Sequence, residues 1–314
     1  TTEIYTLSLH DALPIWRQNG AFKMKNPVGI YYAYWEKEWS ANFVPYVKKV
    51  KNLGFDILEV SAGGIVEMSA AERDRLAKTA ADEGITLTYC IGLPSQYDLS
   101  SLDETTRRNG IEYMKKILDC MKEMGGRTIG GIIYASWPMK GVPDIDTKRK
   151  MRERSLASLS ELMKKAEDYG INYCLEIVNR FEQCLLNCAA EGIEYVKELG
   201  SPNTKLLLDT FHMNIEEDSI GDAIRSAGDL LGHFHIGECN RKTPGTGRMP
   251  WNEIFTALAD INYGGAVVME PFLKPGGQVG SDIRVFRDLS NNADEQRMDL
   301  LAAAAANFVK ENLK

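Results

Sequence analysis

The sequence predicts a single (β/α)8 barrel, and three observations support this fold class. From Val28 onward, short apolar runs alternate with amphipathic helical stretches, and eight such runs can be recognised. Glycine stands between a helical stretch and the next run in Leu53-Gly54-Phe55, Glu83-Gly84-Ile85 and Tyr169-Gly170-Ile171. The chain length of 314 residues suits one barrel of about 250 residues with insertions. The repeated helix–glycine–strand order favours parallel β–α units over an antiparallel sheet.

The strands are expected in the following order along the chain. The first five are predicted at Val28–Tyr32, Asp56–Val60, Thr86–Tyr89, Thr128–Tyr134 and Tyr173–Ile177, and the last three immediately precede Asp209, His235 and Glu270. Two of the intervening helices have clear apolar spacing, Met151–Tyr169 and a C-terminal helix within Asn292–Asn312. No linker or low-complexity tract divides the chain, so a second domain is not expected.

Composition excludes several classes of function. The net charge is −7 and no long basic run is present, which argues against nucleic acid as a partner. No apolar run approaches the roughly 18 residues of a membrane span, so no membrane association is expected. The six cysteines form no CxxC pair, as is typical of reduced cysteines in a cytoplasmic protein.

The first 23 residues do not fit the rest of the chain. They contain no basic segment of the kind that opens a signal peptide, and His10, Asp11 and Pro14 interrupt their apolar stretch. The string TTEIYTLSLHDALPI resembles translated sequencing-adapter sequence. We therefore interpret 1–23 as a non-native or disordered extension and expect the barrel domain to comprise 24–314.

Four side chains of metal-binding type stand at the ends of four successive apolar runs. Glu176, Asp209, His235 and Glu270 recur at intervals of 26 to 35 residues, and one strand with its crossover helix takes about 30 residues or more. In a (β/α)8 barrel the carboxyl ends of all strands meet at one rim, where active sites lie. The spacing therefore predicts that the four side chains surround one metal ion.

Each ligand also has an ordinary structural explanation. Glu176 within Cys174–Val178 could form a buried salt bridge with a lysine or arginine, and Asp209 could cap the next helix. Repetition of the pattern at three carboxylates and one imidazole favours the metal site. His233 lies on the same strand face as His235 but farther from the rim, which predicts a structural role for it. Such an oxygen-rich ligand set favours Mn2+, Mg2+ or Co2+ over a thiolate zinc site.

Further polar and aromatic residues follow the predicted strand ends. Glu182, His212 and Arg241 each lie within six residues of a proposed ligand and could hold a substrate, although each could also be an ordinary solvated loop residue. The aromatic residues Tyr31, Trp39, Trp137 and Phe272 could stack on a sugar or simply pack the loops against the rim. The glycine pairs of the chain match neither the Walker nor the dinucleotide-binding pattern.

Five segments together resemble the ketose 3-epimerases of the D-tagatose/D-psicose (D-allulose) group, whose wider relatives are the xylose-isomerase-like barrels. They are GIYYAYW at 29–35, CLEIVNRFE at 174–182, LLDTFHMNIEEDSIG at 207–221, GHFHIGECNRKTPGTGRMPW at 232–251 and VVMEPF at 267–272. The resemblance extends from Met24 to about Lys314. It lacks a counterpart for the N-terminal extension, and the loop Met139–Asp146 is difficult to align.

The resemblance implies a metal-dependent C3 epimerisation of free ketohexoses, D-fructose with D-psicose and D-tagatose with D-sorbose, through a cis-enediolate. It implies that Glu176 and Glu270 are the catalytic base and acid, and that the metal held by the four ligands is Mn2+ or Co2+ in preference to Mg2+. Glu182, His212 and Arg241 would then bind the O1–O3 end of the sugar. Tyr31, Trp39, Trp137 and Phe272 would line the O6 end, and the enzyme would be a cytoplasmic homo-oligomer, a dimer or a homotetramer.

Three other functions are compatible with parts of the pattern. A related aldose–ketose isomerase, of the hydroxypyruvate or xylose isomerase type, would move the carbonyl between C1 and C2. A metal-dependent abasic-site nuclease needs more histidines than the four of this chain and a basic face. A non-catalytic sugar-binding barrel would have no need for both Glu176 and Glu270.

Overall fold

Eight parallel strands close into a barrel in the order of the chain. The structure is a computed structural model that describes residues 26–313 and the backbone of a short antiparallel pair, Arg17–Gln18 with Ala21–Phe22. The barrel strands are β1 Val28–Tyr31, β2 Ile57–Ser61, β3 Thr86–Cys90, β4 Thr128–Gly131, β5 Asn172–Ile177, β6 Thr204–Asp209, β7 Leu231–Ile236 and β8 Val267–Met269. Strand β8 closes the ring by pairing with β7 on one side and β1 on the other.

Helices occupy the connections between the strands. They are α1 Val44–Asn52, α2 Ala62–Glu67, α3 Ala70–Glu83, α4 Glu104–Glu123, α5 Ile145–Tyr169, α6 Ala189–Leu199, α7 Thr210–Glu216, α8 Ile220–Ala227, α9 Trp251–Asp260, α10 Gly277–Asp282 and α11 Glu295–Asn312. The predicted (β/α)8 barrel is therefore confirmed. Within 26–313, no helix combines the length and the apolar character that a membrane span requires.

Three glycines between helices and strands have the backbone conformation that the sequence pattern predicts. Gly84 ends α3 and Gly170 ends α5, both in the left-handed region with φ of 66° and 61°. Gly54, which follows α1 by two residues, has φ of 86°. A side chain at such a φ would be strained, so glycine is favoured where the chain turns from the helix into the next strand.

The fourth strand is shorter than predicted. The prediction continued it through Tyr134, but β4 ends at Gly131, where φ is 115° and a Cβ atom would lie 2.1 Å from the carbonyl oxygen of Ile91. The apolar run beyond it is buried in the core as a turn, and for that reason it has the composition of a strand. Beyond Gly131 the side chains are therefore buried although the backbone no longer forms a strand.

Two predicted helix boundaries also differ from the structure. Helix α5 begins at Ile145 rather than Met151, because Asp144 caps it by accepting the Thr147 amide at 2.7 Å. Helix α11 begins at Glu295, after Asp294 accepts the Arg297 amide at 2.8 Å. In both cases a short polar side chain before the helix sets the boundary, whereas the apolar spacing marks only the part that packs on the barrel.

The prediction for 1–23 lies almost wholly outside the described residues, and it remains a prediction. Deleting 1–23 is expected to leave the Tm and the activity nearly unchanged, because the ring of strands closes on β1, which begins at Val28. Thermal unfolding and activity of the shortened and full-length chains would check this. A fall of more than a few degrees in Tm would contradict it.

Candidate active site

Four of the predicted residues converge at the carboxyl ends of β5 to β8. Glu176 is the penultimate residue of β5, Asp209 the last of β6, His235 the penultimate of β7, and Glu270 follows β8 directly. All four are buried, and each offers one donor atom such that these atoms lie within 4.8 Å of one another. The one-ligand-per-unit spacing in the sequence therefore corresponds to a single cluster in space.

The orientation of His235 fits this cluster. Its Nε2 is 2.7 Å from Oε1 of Glu59, while its Nδ1 faces the carboxylates and lies 3.8 Å from Oε2 of Glu270. Nδ1 is buried and has no hydrogen-bond partner among the described residues. A buried nitrogen without a partner is costly. A metal ion bound at Nδ1 would satisfy it.

The charges of the cluster point the same way. Burial and the neighbouring Glu270 carboxylate raise the pKa of Glu176 well above its usual range, and burial raises the pKa of Glu270 to about 7. Burial would also raise the pKa of Asp209, but Arg241, His212, His235 and the Phe211 amide together lower it. Three buried carboxylates with one nearby arginine lack positive charge, and a divalent cation would supply it. The residues therefore fit a hard divalent cation.

The two carboxylate oxygens of Asp209 have different partners. Oδ1 accepts the Phe211 amide at 2.8 Å and so caps α7, and Oδ2 accepts a hydrogen bond from Nη1 of Arg241 at 2.8 Å. The cap and the site position were alternatives in the sequence, and the structure contains both. The cap fixes the plane of the carboxylate whose other oxygen faces the cluster.

Arg241 lies against the proposed ligands rather than in solvent. Nη1 also donates to Oε2 of Glu270 at 3.0 Å, and the guanidinium carbon is 3.9 Å from the centre of the Phe211 ring. Its backbone is left-handed, with φ of 64°, in a turn where its amide donates to the Glu238 carbonyl and its carbonyl accepts the amide of Phe272. This strained conformation is typical of functional positions.

Glu238 is a buried carboxylate that the sequence analysis did not single out, and it supports the loop that carries Arg241. Its carboxylate accepts the amides of Gly245 at 2.9 Å and Met249 at 3.1 Å, and the indole N–H of Trp251 at 2.9 Å. Three donors on one carboxylate hold both ends of the loop between β7 and α9. Its location in a polar loop gave no signal of burial.

His212 and Glu182 share one partner, Asn179. The Asn179 amide donates to Nδ1 of His212 at 3.2 Å. Nε2 of His212 lies 3.3 Å from Nη2 of Arg241 and 3.6 Å from Oε1 of Glu176. The Asn179 side chain donates to Oε1 of Glu182 at 3.1 Å, while Trp137 donates its indole N–H to Oε2 at 2.8 Å. His212 and Arg241 are buried and Glu182 is half-buried, which excludes the solvated-loop alternative for all three.

The four predicted aromatic residues form one wall of the cleft above the cluster. The Trp39 ring centre lies 6.5 Å from that of Tyr31, 6.2 Å from Trp137 and 6.4 Å from Phe272. The cleft has a volume of about 770 Å³ and is also lined by Glu176, Glu182, His212, Arg241 and Glu270. Trp39 donates its indole N–H to Asp282 at 2.8 Å. Both indole N–H groups are thus used within the protein, and the rings present apolar surface to the cleft.

Glu59 is the principal site residue that the sequence analysis missed. It is fully buried on β2 and accepts hydrogen bonds from Nε2 of His233 and Nε2 of His235, both at 2.7 Å, and from the Thr88 hydroxyl at 2.8 Å. Burial would raise the pKa of Glu59, but the two histidines lower it far below its usual range. A signal was present, because Glu59 interrupts an apolar strand just as Glu176 does. His233 is fully buried outside the cluster of possible ligands, and the structural role expected for it remains a prediction.

Comparisons with known proteins agree on one family. The family model described as "Xylose isomerase-like TIM barrel" matches residues 47–289. The D-psicose 3-epimerase of Agrobacterium fabrum strain C58 is 52% identical over 280 residues, covering 89% of this chain and 96% of that protein. A crystal structure of D-psicose 3-epimerase in the presence of D-fructose has a TM-score of 0.89 and 51% identity, covering 91% of this chain and 99% of the other. A second, with D-tagatose from Clostridium cellulolyticum H10, has a TM-score of 0.90 and 49% identity, covering 92% and 99%.

Proposed function

Because this chain belongs to the ketose 3-epimerase family within the xylose isomerase-like TIM barrels and is therefore an isomerase, we propose that it epimerises free ketohexoses at C3. The reactions would interconvert D-fructose with D-psicose and D-tagatose with D-sorbose. The observation that carries the proposal is the buried pair Glu176 and Glu270, which share one cleft and one cluster with Asp209 and His235. Relatives crystallised with D-fructose and D-tagatose support the substrate class.

The chemistry requires proton removal on one face of C3 and proton return on the other. A single base would tend to return the proton to the face that it came from. We assign Glu176 and Glu270 as the two groups, one acting as base while the other acts as acid, with a cis-enediolate of the sugar between the two steps. Glu176 is the penultimate residue of β5 and Glu270 directly follows β8, so the strands hold both carboxylates fixed relative to a bound sugar.

A bound divalent cation would act as a Lewis acid toward the sugar oxygens at C2 and C3. Glu176, Asp209, His235 and Glu270 would hold it. We propose Mn2+ or Co2+ in preference to Mg2+, since the set contains an imidazole nitrogen as well as carboxylate oxygens. Nδ1 of His235, which has no hydrogen-bond partner within 26–313, supports this ligand set.

The remaining side chains would orient the sugar. Arg241, Glu182 and the imidazole of His212 surround the cluster and offer both donors and acceptors, which suits the hydroxyl and carbonyl groups at O1 to O3. Tyr31, Trp39, Trp137 and Phe272 would lie along the C4–C6 part of the sugar. The indole N–H groups of Trp39 and Trp137 already donate to Asp282 and Glu182. The aromatic rings would therefore hold that end of the sugar by van der Waals contact rather than by specific hydrogen bonds.

We also propose that the enzyme is a cytoplasmic homo-oligomer, a dimer or a tetramer. All six cysteines are thiols in the structure, in keeping with a reducing compartment. Several large apolar side chains on rim loops are exposed, among them Val142 at 94% and Phe181 at 65%, and contact with a second subunit would bury them. Size-exclusion chromatography with light scattering would give the assembly state.

Epimerisation in deuterated water tests the proposed function. The metal-loaded protein with D-fructose should yield D-psicose that carries deuterium at C3, detected by NMR, because the returned proton comes from solvent exchange at Glu176 or Glu270. An aldose product that carries deuterium at C2 would instead indicate an aldose–ketose isomerase. Binding of D-fructose without exchange at any carbon would leave only a sugar-binding barrel and would overturn the proposal.

A further inference from the structure

We infer that Glu59 is a positioning residue that fixes the tautomer and the ring orientation of His235, so that Nδ1 is the nitrogen presented to the metal. The inference rests on the proposed function for its biological purpose, but its geometry is independent of the substrate. Glu59 is not among the residues that line the cleft, and it does not belong to the cluster of Glu176, Asp209, His235 and Glu270. It acts through His235.

The contact crosses the interior of the barrel. Glu59 lies on β2 and both histidines on β7, which is three strands away around the ring. Glu59, His233 and His235 are fully buried and Thr88 is 4% exposed, so water does not compete for these hydrogen bonds. The side chain of Glu59 therefore connects nearly opposite walls of the barrel directly below the candidate metal site.

Counting donors and acceptors determines where the protons lie. An ionised carboxylate can only accept, and the Thr88 hydroxyl donates to Oε2 at 2.8 Å. Both imidazole Nε2 atoms, at 2.7 Å from Glu59, must then carry hydrogen. A metal-binding imidazole must be neutral, and in the neutral ring of His235 the lone pair is then left on Nδ1. For His235, Nε2 is occupied by Glu59, and Nδ1 lies 3.8 Å from Oε2 of Glu270 in the cluster.

His233 provides an internal comparison. It has the same bond to Glu59 and the same unpartnered Nδ1, but it does not belong to the cluster of possible ligands. If Glu59 served only to join β2 to β7, the bond to either histidine would serve equally. The bond to His235 has the additional effect of aiming a free lone pair at the carboxylates, as carboxylates behind metal-binding histidines generally do.

The principal test is the Mn2+ affinity of Glu59→Gln, measured by calorimetric titration of the metal-free protein. A glutamine offers one acceptor oxygen and an NH2 donor, so it cannot accept from both histidines. We expect affinity to weaken by about 10- to 100-fold. We also expect kcat for D-fructose to return toward the wild-type value at saturating Mn2+, since Glu59 does not contact the sugar. Unchanged affinity in a folded variant would overturn the inference.

Two control substitutions separate positioning from stability. His233→Gln removes the other imidazole from Glu59, and Thr88→Val removes the hydroxyl. Both lower packing or hydrogen bonding around Glu59 and should reduce Tm, but they leave the His235 bond in place. Their Mn2+ affinities should stay within about threefold of wild type. A loss equal to that of Glu59→Gln would indicate a purely structural role and would overturn the inference.

A measurement on the wild-type chain keeps the inference testable if Glu59→Gln fails to fold. The chain has four histidines, so 15N-histidine labelling gives few signals. Proton–nitrogen correlation spectra should show His235 protonated at Nε2, and titration with diamagnetic Mg2+ should shift the Nδ1 resonance. A proton on Nδ1 in place of Nε2, or a larger metal-dependent shift at Nε2 than at Nδ1, would overturn it. Neither spectrum nor affinity depends on turnover, so failure of the proposed function would be recognised separately.

Discussion

Glu176→Gln and Glu270→Gln are each expected to abolish epimerisation, with a loss in kcat of about 10²- to 10⁴-fold or more. The amide keeps the shape and volume of the carboxylate but cannot accept the C3 proton. Both residues are buried in the same cluster and line the same cleft. Because the reaction needs one group on each face of C3, loss of either should stop net epimerisation.

Metal binding must be measured beside activity, since each glutamate is also a proposed ligand. The metal content of each variant should be determined by elemental analysis, and kcat should be compared at saturating Mn2+. Glu194→Gln on α6, with a side chain that is 78% exposed, is a matched control and should behave as wild type. Wild-type activity in either Glu176→Gln or Glu270→Gln would disprove the two-carboxylate scheme.

A free ketohexose is expected to be preferred over its 6-phosphate by roughly 100-fold in kcat/KM. Phosphate sites ordinarily consist of several backbone amides or an arginine and lysine cluster. Among the described lining residues, Lys140 and Arg241 are the lysine and arginine side chains of the cleft, and Arg241 is engaged by Asp209 and Glu270. A dianion facing the aromatic wall would lose hydration without adequate partners. A penalty of about 3 kcal/mol corresponds to roughly 100-fold.

The comparison should use two substrate pairs. D-fructose with D-fructose 6-phosphate, and D-tagatose with its 6-phosphate, separate the effect of the phosphate from that of the C4 configuration. Turnover would be followed by NMR of the products at saturating Mn2+. A preference for the phosphate in both pairs would place a binding group at the far end that the aromatic residues do not provide, and it would change the substrate class.

Much of the candidate site follows from sequence periodicity. A parallel barrel brings every strand end to one rim, so a ligand at the end of each of four successive strands must lie near the others. Glu176, Asp209, His235 and Glu270 could be placed for that reason without any knowledge of distances. The helix-ending glycines at 54, 84 and 170 were predictable because only a local backbone property was involved.

Other features depend on contacts between distant parts of the chain. The hydrogen bonds from β7 to Glu59 on β2 could be predicted only by knowing which side chains cross the barrel interior. The position of Glu59 within an apolar strand did indicate a buried carboxylate. The contact of Arg241 with Asp209 and Glu270 depends on the left-handed backbone of Arg241 itself. The sequence does not predict this conformation, because arginine rarely adopts it. The end of β4 depends on the close approach of Gly131 to Ile91, which follows the neighbouring strand β3.

The buried charges have a consequence for how ions reach the protein. Glu59, Glu176, Asp209, Glu238 and Glu270 are buried with one arginine, Arg241. When all five carboxylates are ionised and the histidines are neutral, these six residues carry a net charge of −4, compared with −7 for the whole chain. A low-dielectric wall around them focuses the field through the cleft opening. Divalent cations of every kind would be drawn in at rates that fall with ionic strength, so the metal carried by a purified sample should reflect the composition of its medium.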